Sequence, residues 1–522
     1  MRPNPGVESM STETTAVPET TATTPARHPA ADRGRGWRLP AVAVPALAPI
    51  EWAGLLLPML GLTVLALRDL GAPSLWRDEV SSVIFAKGSL GDLLTIIGRD
   101  RAEVGLVNMA TYYLILHFWL IVGETEARIR LLSVIFGVLS VVPVYFVARR
   151  LGGWVAGVVA ASVFVLIPYV IHYSQEARGY SLAMLMAGGM TWLLLIGLDR
   201  RERVWPWLAY GVIGALGLYV HFFMALVVAG HGLWALATRQ IPPLRSAAAA
   251  VIPLALAAAP IPFVMAEFGG EHEWIPELTV ARAYVGLEKL IGGGAVILAM
   301  TALLAIGAWA WRRDRRFWLI VASLLIPIVG AIAISVVKPM FIPRYLIMVL
   351  PALAVVAGLA IVAIRPILIR SAVTIVVIGI LLVGLPSAYF TTTNIDWRAA
   401  GRWMAEEVQP GDHVVMVSWK DSPLEYYFLR FDPPAIPSRL LERDRPAADP
   451  DARIWLALMG VSPREASEEL EQYLTSYRVA EARRYGPRAE LFLLEPLAGS
   501  AASAGAASLL PSAGPSRGQE GR

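Results

Sequence analysis

Apolar runs recur along this chain from residue 50 to residue 388. Each is about 20 residues long, enough to cross a hydrocarbon core of about 30 Å. Segments of this kind satisfy their backbone N–H and C=O groups as helices, so a polytopic α-helical membrane protein is expected. Candidate spans are 48–69, 129–148, 152–171, 179–198, 205–220, 222–238, 246–264, 293–311, 318–337, 345–363 and 370–388. The composition agrees: 56% of the 522 residues are hydrophobic and 16% are charged, with mean hydropathy +0.57. A soluble chain of this size carries far more charge. There are no cysteines, which removes disulfides and thiolate metal sites.

The basic residues lie mostly between the spans. Arg149-Arg150, Asp199 to Arg203, Arg239 with Arg245, Arg312 to Arg316, and Arg365 with Arg370 fall on alternate connections. Connections rich in Lys and Arg face the cytoplasm. The formal net charge of +4 is therefore read as orientation, not as nucleic-acid binding. A twelfth apolar segment, LVNMATYYLILHFWLIV at 106–122, disturbs this alternation if it crosses, and is read as lying in the outer interface. About eleven crossings follow, with the amino end inside and everything beyond residue 388 outside. The same count gathers 71–128, 172–178, the turn at His221, 265–292 and the approach to residue 345 on the outer side.

Four parts are expected along the chain. Residues 1–39, rich in Thr, Ala, Pro, Glu and Arg, read as a disordered cytoplasmic tail. Residues 40–390 form the transmembrane module. Residues 391–497 read as a small extracytoplasmic α/β domain, and 498–522 as a second disordered tail. In the α/β segment Asp396 suits a helix cap before WRAAGRWMAEEV, and Gly411 ends the turn that follows. HVVMVSW and ELFLLEP read as strands, and SPREASEELEQYLTSY as a helix with a Ser-Pro start. No Gly-rich phosphate loop follows the strands, so the segment is read as a lid or structural cap.

Chemistry is sought at the outer end. Asp78 and Glu79, in LWRDEV just past the first span, are carboxylates able to accept a proton from a hydroxyl or to hold a divalent cation. They equally suit an ordinary helix amino terminus. Asp100, Glu103 and Asn108 share that loop, and Glu103 is the candidate second acid. Tyr112, Tyr113 and His117 read equally as interface anchors or ligand contacts. HYSQEARGY sets His172, Tyr173, Gln175, Glu176, Arg178 and Tyr180 at a span end, where polar groups are costly if buried and unpaired. His221 in YVHFF can meet a phosphate oxygen or take a proton. KPMFIPRYL supplies Lys338, Arg344 and Tyr345; the guanidinium fork suits phosphate, and the ammonium is a point charge.

In this order, LWRDEV, YSQEARGY, YVHFF and FIPRYL resemble the GT-C membrane glycosyltransferases. The resemblance is specifically to the bacterial dolichyl-phosphate-mannose-protein mannosyltransferase-like group that includes lipid A aminoarabinose transferases. It covers about residues 50–390. It implies a sugar donor carried on a polyprenyl phosphate, with Asp78 as catalytic carboxylate near the acceptor. Glu79 and Glu103 are candidates for acid or metal assistance. Arg344, matching the Pro-Arg-Tyr arginine, would bind donor phosphate with Lys338, Arg178 and His221. His172, Tyr173, Gln175, Glu176, Tyr180 and Tyr345 would line the pocket or the acceptor site. One departure stands out: AEVGLVNMATYY lacks the Pro-containing entry common before the second apolar helix in relatives.

The expected reaction is an inverting single displacement. A hydroxyl of a cell-envelope glycan, glycolipid or protein attacks the anomeric carbon while Asp78 takes its proton. Arg344 stabilises the departing phosphate. The displacement does not require a metal; Mg²⁺ or Mn²⁺ held by Asp78, Glu103 or the donor phosphate is a permitted addition. Expected partners are the polyprenyl-phosphate sugar, the envelope acceptor and membrane lipids, and the expected site is the inner membrane of a bacterium. The competing reading is a polytopic lipid or glycan transporter or flippase, since transporters also carry intramembrane charges and broken helices.

Overall fold

The computed structural model describes residues 47–91, 108–259, 275–388, 395–417, 423–436 and 452–497. The two expected tails, Asp100 and Glu103 lie outside these residues. The described chain is mostly helical. Among the described residues, six helices are long and apolar enough to cross a membrane, seven if a bent pair counts as one span. The first, α1 (Pro49–Leu67), leads to α2 (Arg77–Lys87), which carries Asp78 and Glu79 in its first turn. The next helix, α3 (Ala110–Trp119), continues as a 3-10 turn to Val122. Its thirteen residues rise about 20 Å, shorter than a hydrocarbon core of about 30 Å.

Glu126–Leu166 (α4) runs for 41 residues but breaks at Gly153, whose φ of 82° a side chain would strain. The two halves fold back on each other, since a Cβ on Gly157 would sit 3.0 Å from the Tyr145 ring twelve residues earlier. This hairpin corresponds to the two expected spans 129–148 and 152–171. Pro168 then starts the short α5 (Pro168–Ser174), and α6 (Tyr180–Asp199) crosses back.

Three expected spans are short helices among the described residues, and residues 260–264 of the third lie outside them. They are α7 (Val204–Leu218), α8 (Met224–Thr238) and α9 (Leu244–Ala258), each of 15 residues. The apolar windows overstated the first two because the turn between them, Tyr219 to Phe223, is itself largely apolar. Buried polar groups join them to their neighbours. His231 on α8 meets the Tyr210 hydroxyl at 3.1 Å through Nδ1, and Thr191 and Ser323 at 3.3 and 3.0 Å through Nε2. Ser323 belongs to α12 (Arg315–Val337).

The bent pair comprises α10 (Val280–Ile291) and α11 (Gly294–Ala310), which meet at 85°. Gly292 and Gly293, at φ 103° and 119°, make that corner. A 3-10 stretch, Pro343–Val349, feeds α13 (Leu350–Ala363), the most buried span, and α14 (Ile367–Gly384) lies at the periphery.

The carboxy-terminal region is a four-stranded sheet between helices. Its elements are α15 (Trp397–Glu407), β1 (His413–Val417), α16 (Pro423–Arg430), β2 (Ile454–Met459), α17 (Pro463–Leu474), β3 (Tyr477–Gly486) and β4 (Ala489–Pro496). The strand order is β1-β2-β4-β3, with β1 and β2 parallel and the other pairs antiparallel. Every residue of β2 is buried, because both faces are covered. Ile454, Leu456 and Leu458 pack towards Leu470 of α17. Trp455, on the opposite face, packs on Trp403 of α15 at 5.0 Å. Asp396 caps α15 by accepting from the Ala399 N–H, and Ser462 with Glu465 forms a capping box on α17.

Candidate functional site

The polar segments picked out in the sequence converge at one end of the bundle, around a cavity of about 470 Å³. The loop between α1 and α2 forms one wall. Its shape is set by Arg130, a buried arginine near the start of α4. Arg130 donates to both oxygens of Glu79, at 2.8 and 2.6 Å, and to the carbonyls of Leu70, Pro73 and Ser74. Glu79 also accepts from the N–H groups of Trp76 and Ala177. Both side chains are saturated. Glu79, expected to assist as an acid or metal ligand, lines the cavity, and its oxygens hold α2 against α4 and the 175–179 loop. Sequence reading missed Arg130, although an arginine one turn into an apolar span (EARIRLLSV) is a signal in itself.

Asp78, one residue earlier on α2, turns elsewhere. Its carboxylate is 25% exposed and lies 3.5 Å from Nη2 of Arg344. The Arg344 guanidinium sits 5.6 Å over the Trp76 ring and 6.0 Å over Tyr345, and Arg344 lines the cavity. Asp78 stands beside the cavity, behind that arginine.

His172, Tyr173, Gln175 and Glu176 line the cavity. Gln175 has a structural task as well: its amide donates to the carbonyls of Ala66 and Arg68, closing the carboxy end of α1. His172 contacts the Ala388 carbonyl through Nδ1 and lies 3.8 Å from Glu176. Burial lowers the proton affinity of His172 and raises the Glu176 pKa to about 8, so Glu176 is protonated at neutral pH. Its Oε1 has no hydrogen-bond partner among the described residues.

Arg178, Tyr180, His221 and Tyr345 form a layer behind the cavity. Arg178 donates to the Asp78 carbonyl and to the Tyr113 hydroxyl, tying α2 to α3. His221 lies between Tyr180 and Tyr345, with ring centres 6.3 and 4.8 Å away. Its Nδ1 accepts from the Phe223 N–H, so the neutral ring carries its proton on Nε2. Burial, with Arg178 and Arg344 adding to it, lowers its pKa to about 3. Among the described residues, Arg178 Nε, Ser181 Oγ, His221 Nε2 and Arg344 Nε are buried without hydrogen-bond partners. Native interiors rarely leave so many polar atoms unpaired in one place, and bound ligands are one common reason.

Lys338 is half-buried at the carboxy end of α12 and is not among the lining residues, so the structure does not bring it to the cavity. Asn108 accepts from the Phe222 N–H, joining the start of α3 to the His221 turn. Among the described residues no group of three His, Asp or Glu side chains is set to hold a metal ion.

The carboxy-terminal region closes this end, a feature the sequence did not reveal in detail. Ser74 Oγ donates to the Ile395 carbonyl and accepts from the Trp397 N–H. The Tyr427 hydroxyl accepts from Leu75 N–H and donates to Glu126. Ile395 and Trp397 line the cavity.

Residues 108–265 match the model of the dolichyl-phosphate-mannose-protein mannosyltransferase family. No curated protein sequence matches the chain. Among solved structures, ArnT from Cupriavidus metallidurans bound to undecaprenyl phosphate aligns with 85% of this chain and 98% of its own, at 16% identity and TM-score 0.57. Its apo form gives 15% identity over the same shares, with TM-score 0.57. The Archaeoglobus fulgidus oligosaccharyltransferase in complex with Zn and sulfate aligns over 74% of this chain and 62% of its own, at 13% identity and TM-score 0.49. In fold along most of its length, and in sequence over residues 108–265, the chain is thus similar to the GT-C membrane glycosyltransferases of the dolichyl-phosphate-mannose-protein mannosyltransferase-like group.

Proposed function

We propose that the chain transfers a sugar from a polyprenyl-phosphate donor to a hydroxyl of an extracytoplasmic envelope acceptor, with inversion. The observation that carries this reading is the pairing of Asp78 with Arg344, from opposite ends of the bundle sequence, at the edge of a cavity that Arg344 lines and that Arg178 and His221 back. A carboxylate beside a guanidinium suits a reaction in which one group gains a proton while a phosphate leaves close by.

The acceptor oxygen attacks the anomeric carbon, and its proton passes to Asp78. The bond from that carbon to the phosphate oxygen breaks, and its electron pair leaves with the polyprenyl phosphate. Arg344 meets the developing charge, with Arg178 Nε–H and His221 Nε2–H behind it. Neutral Glu176 offers a carboxylic O–H to a sugar or phosphate oxygen in the cavity. The displacement balances without a metal; Mg²⁺ or Mn²⁺ held by Asp78 and Glu103 would add to the charge that meets the departing phosphate. The cavity end is assigned to the extracytoplasmic side, since the arginine-rich connections gather at the other end.

The test is turnover of a radiolabelled polyprenyl-phosphate sugar by reconstituted protein. Asp78→Asn is expected to lose at least about a thousandfold in kcat with donor binding retained. Arg344→Ala is expected to raise the donor KM and lower kcat. Wild-type turnover by Asp78→Asn overturns the base assignment. Flux of intact donor across vesicles with no sugar transferred supports the transporter reading instead.

A further inference from the structure

A second recess, of about 600 Å³, lies at the opposite end of the bundle. Leu198, on its wall, is eighteen residues along α6 from Tyr180, about 27 Å at 1.5 Å per residue. The lining is basic: Arg201, Arg313, Arg315 and Arg316, with Gln240 and Trp234. The one acid among the lining residues, Asp314, is spent on capping α12, where it accepts from the Arg316 N–H at 2.8 Å.

Neighbouring groups hold three of these arginines in place without using their full donor sets. Arg316 reaches Asp199, Arg315 reaches the Thr238 carbonyl, and Arg201 reaches Gln240. Arg313 makes no ion pair or hydrogen bond among the described residues. Each guanidinium has five N–H donors. The Trp234 indole donates to the Arg315 carbonyl at 2.6 Å and fixes the floor. Next to the recess, α8 exposes Leu233 and Leu236, and α12 exposes Trp318. A multiply donating, positively charged recess thus opens beside apolar surface facing lipid. A soluble anion makes no use of that apolar border, whereas a lipid places acyl chains there.

We infer that this recess binds the phosphodiester headgroup of an anionic glycerophospholipid, with its acyl chains along α8 and α12. Basic pockets between helix ends recognise such headgroups through charge-assisted hydrogen bonds. The inference does not depend on the sugar-transfer reading.

The test uses full-length protein in phosphatidylcholine nanodiscs with graded phosphatidylglycerol, with native mass spectrometry counting retained lipid. Phosphatidylglycerol is expected to be retained over phosphatidylcholine, less so at high salt. Arg313→Ala with Arg315→Ala is expected to weaken that retention about thirtyfold. Arg464→Ala with Arg478→Ala, which removes equal charge from the exposed carboxy-terminal surface, is expected to leave it unchanged. Should the double variant misfold, Arg201→Gln alone is expected to weaken retention severalfold. Equal retention by the recess variants overturns the inference. So does displacement of the lipid by millimolar inorganic phosphate, which reassigns the recess to a soluble anion.

Discussion

Four donors converge on the carboxylate of Glu79: Arg130 Nε and Nη2, and the N–H groups of Trp76 and Ala177. Removing one partner of such a buried pair leaves a charge without compensation. Arg130→Met is therefore expected to destabilise the protein by about 3–5 kcal/mol. Thermal unfolding in detergent checks this, and the double variant with Glu79→Leu should recover much of the loss. Glu176 gives a second residue-scale prediction. Its folded pKa of about 8 lies above the ordinary 4.5. The stability it contributes is therefore full below pH 4.5 and is lost as pH rises through 8. Across that window the Tm of the wild type should fall relative to Glu176→Gln, which carries no such titration. Parallel Tm-against-pH curves would remove Glu176 from the account. His221 acts in the opposite sense, since its pKa is lowered to about 3: its contribution is full above 6.5 and is lost as pH falls. It cancels in the comparison.

At the scale of elements, α15 and α16 dock on the loop that leads into α2. The docking uses few groups: Ser74 with Ile395 and Trp397, Tyr427 with Leu75 and Glu126, and Arg398 with the carbonyls of Gly71 and Ala72. Tyr427→Phe leaves the Leu75 N–H without this acceptor and the Glu126 Oε1 with only Arg398, at a cost of about 1–3 kcal/mol. Amide hydrogen exchange should then rise in residues 70–80 and 397–407 while the span helices keep their protection. Uniform loss of protection would mean the contact serves global folding and not local docking. The hydroxyl is the variable here, because Phe preserves the packing of the ring.

For the whole molecule, the two ends of the bundle differ in character. One carries the cavity and the carboxy-terminal sheet; the other gathers Arg149, Arg150, Asp199, Arg201, Arg315 and Arg316. With no native cysteine, single substitutions report sidedness cleanly. Arg464→Cys and Arg203→Cys, both exposed, should react with a membrane-impermeant thiol reagent from opposite faces of sealed vesicles. Arg464→Cys is expected to label from the extracytoplasmic face. Labelling of both from the same face would defeat the assigned orientation.

The sequence alone determined what depends on local pattern and on solvent. Apolar length set the helices, arginine spacing set the expected orientation, and Asp396, Ser462 and the break near Arg150 are visible as local signals. It also marked Asp78, Glu176, Arg178, His221 and Arg344, because charge in an apolar setting is conspicuous. Only the tertiary structure decided which of two adjacent acids meets Arg344 and which meets Arg130. Asp78 and Glu79 are indistinguishable in a string, and their fates diverge because successive helix positions point about 100° apart, one towards Arg344 and the other into Arg130. The docking of Tyr427 on Leu75, more than 300 residues away, was equally illegible. Contacts of that range follow from packing among many elements, whereas patterning within one segment records only its own period and its preference for water or lipid.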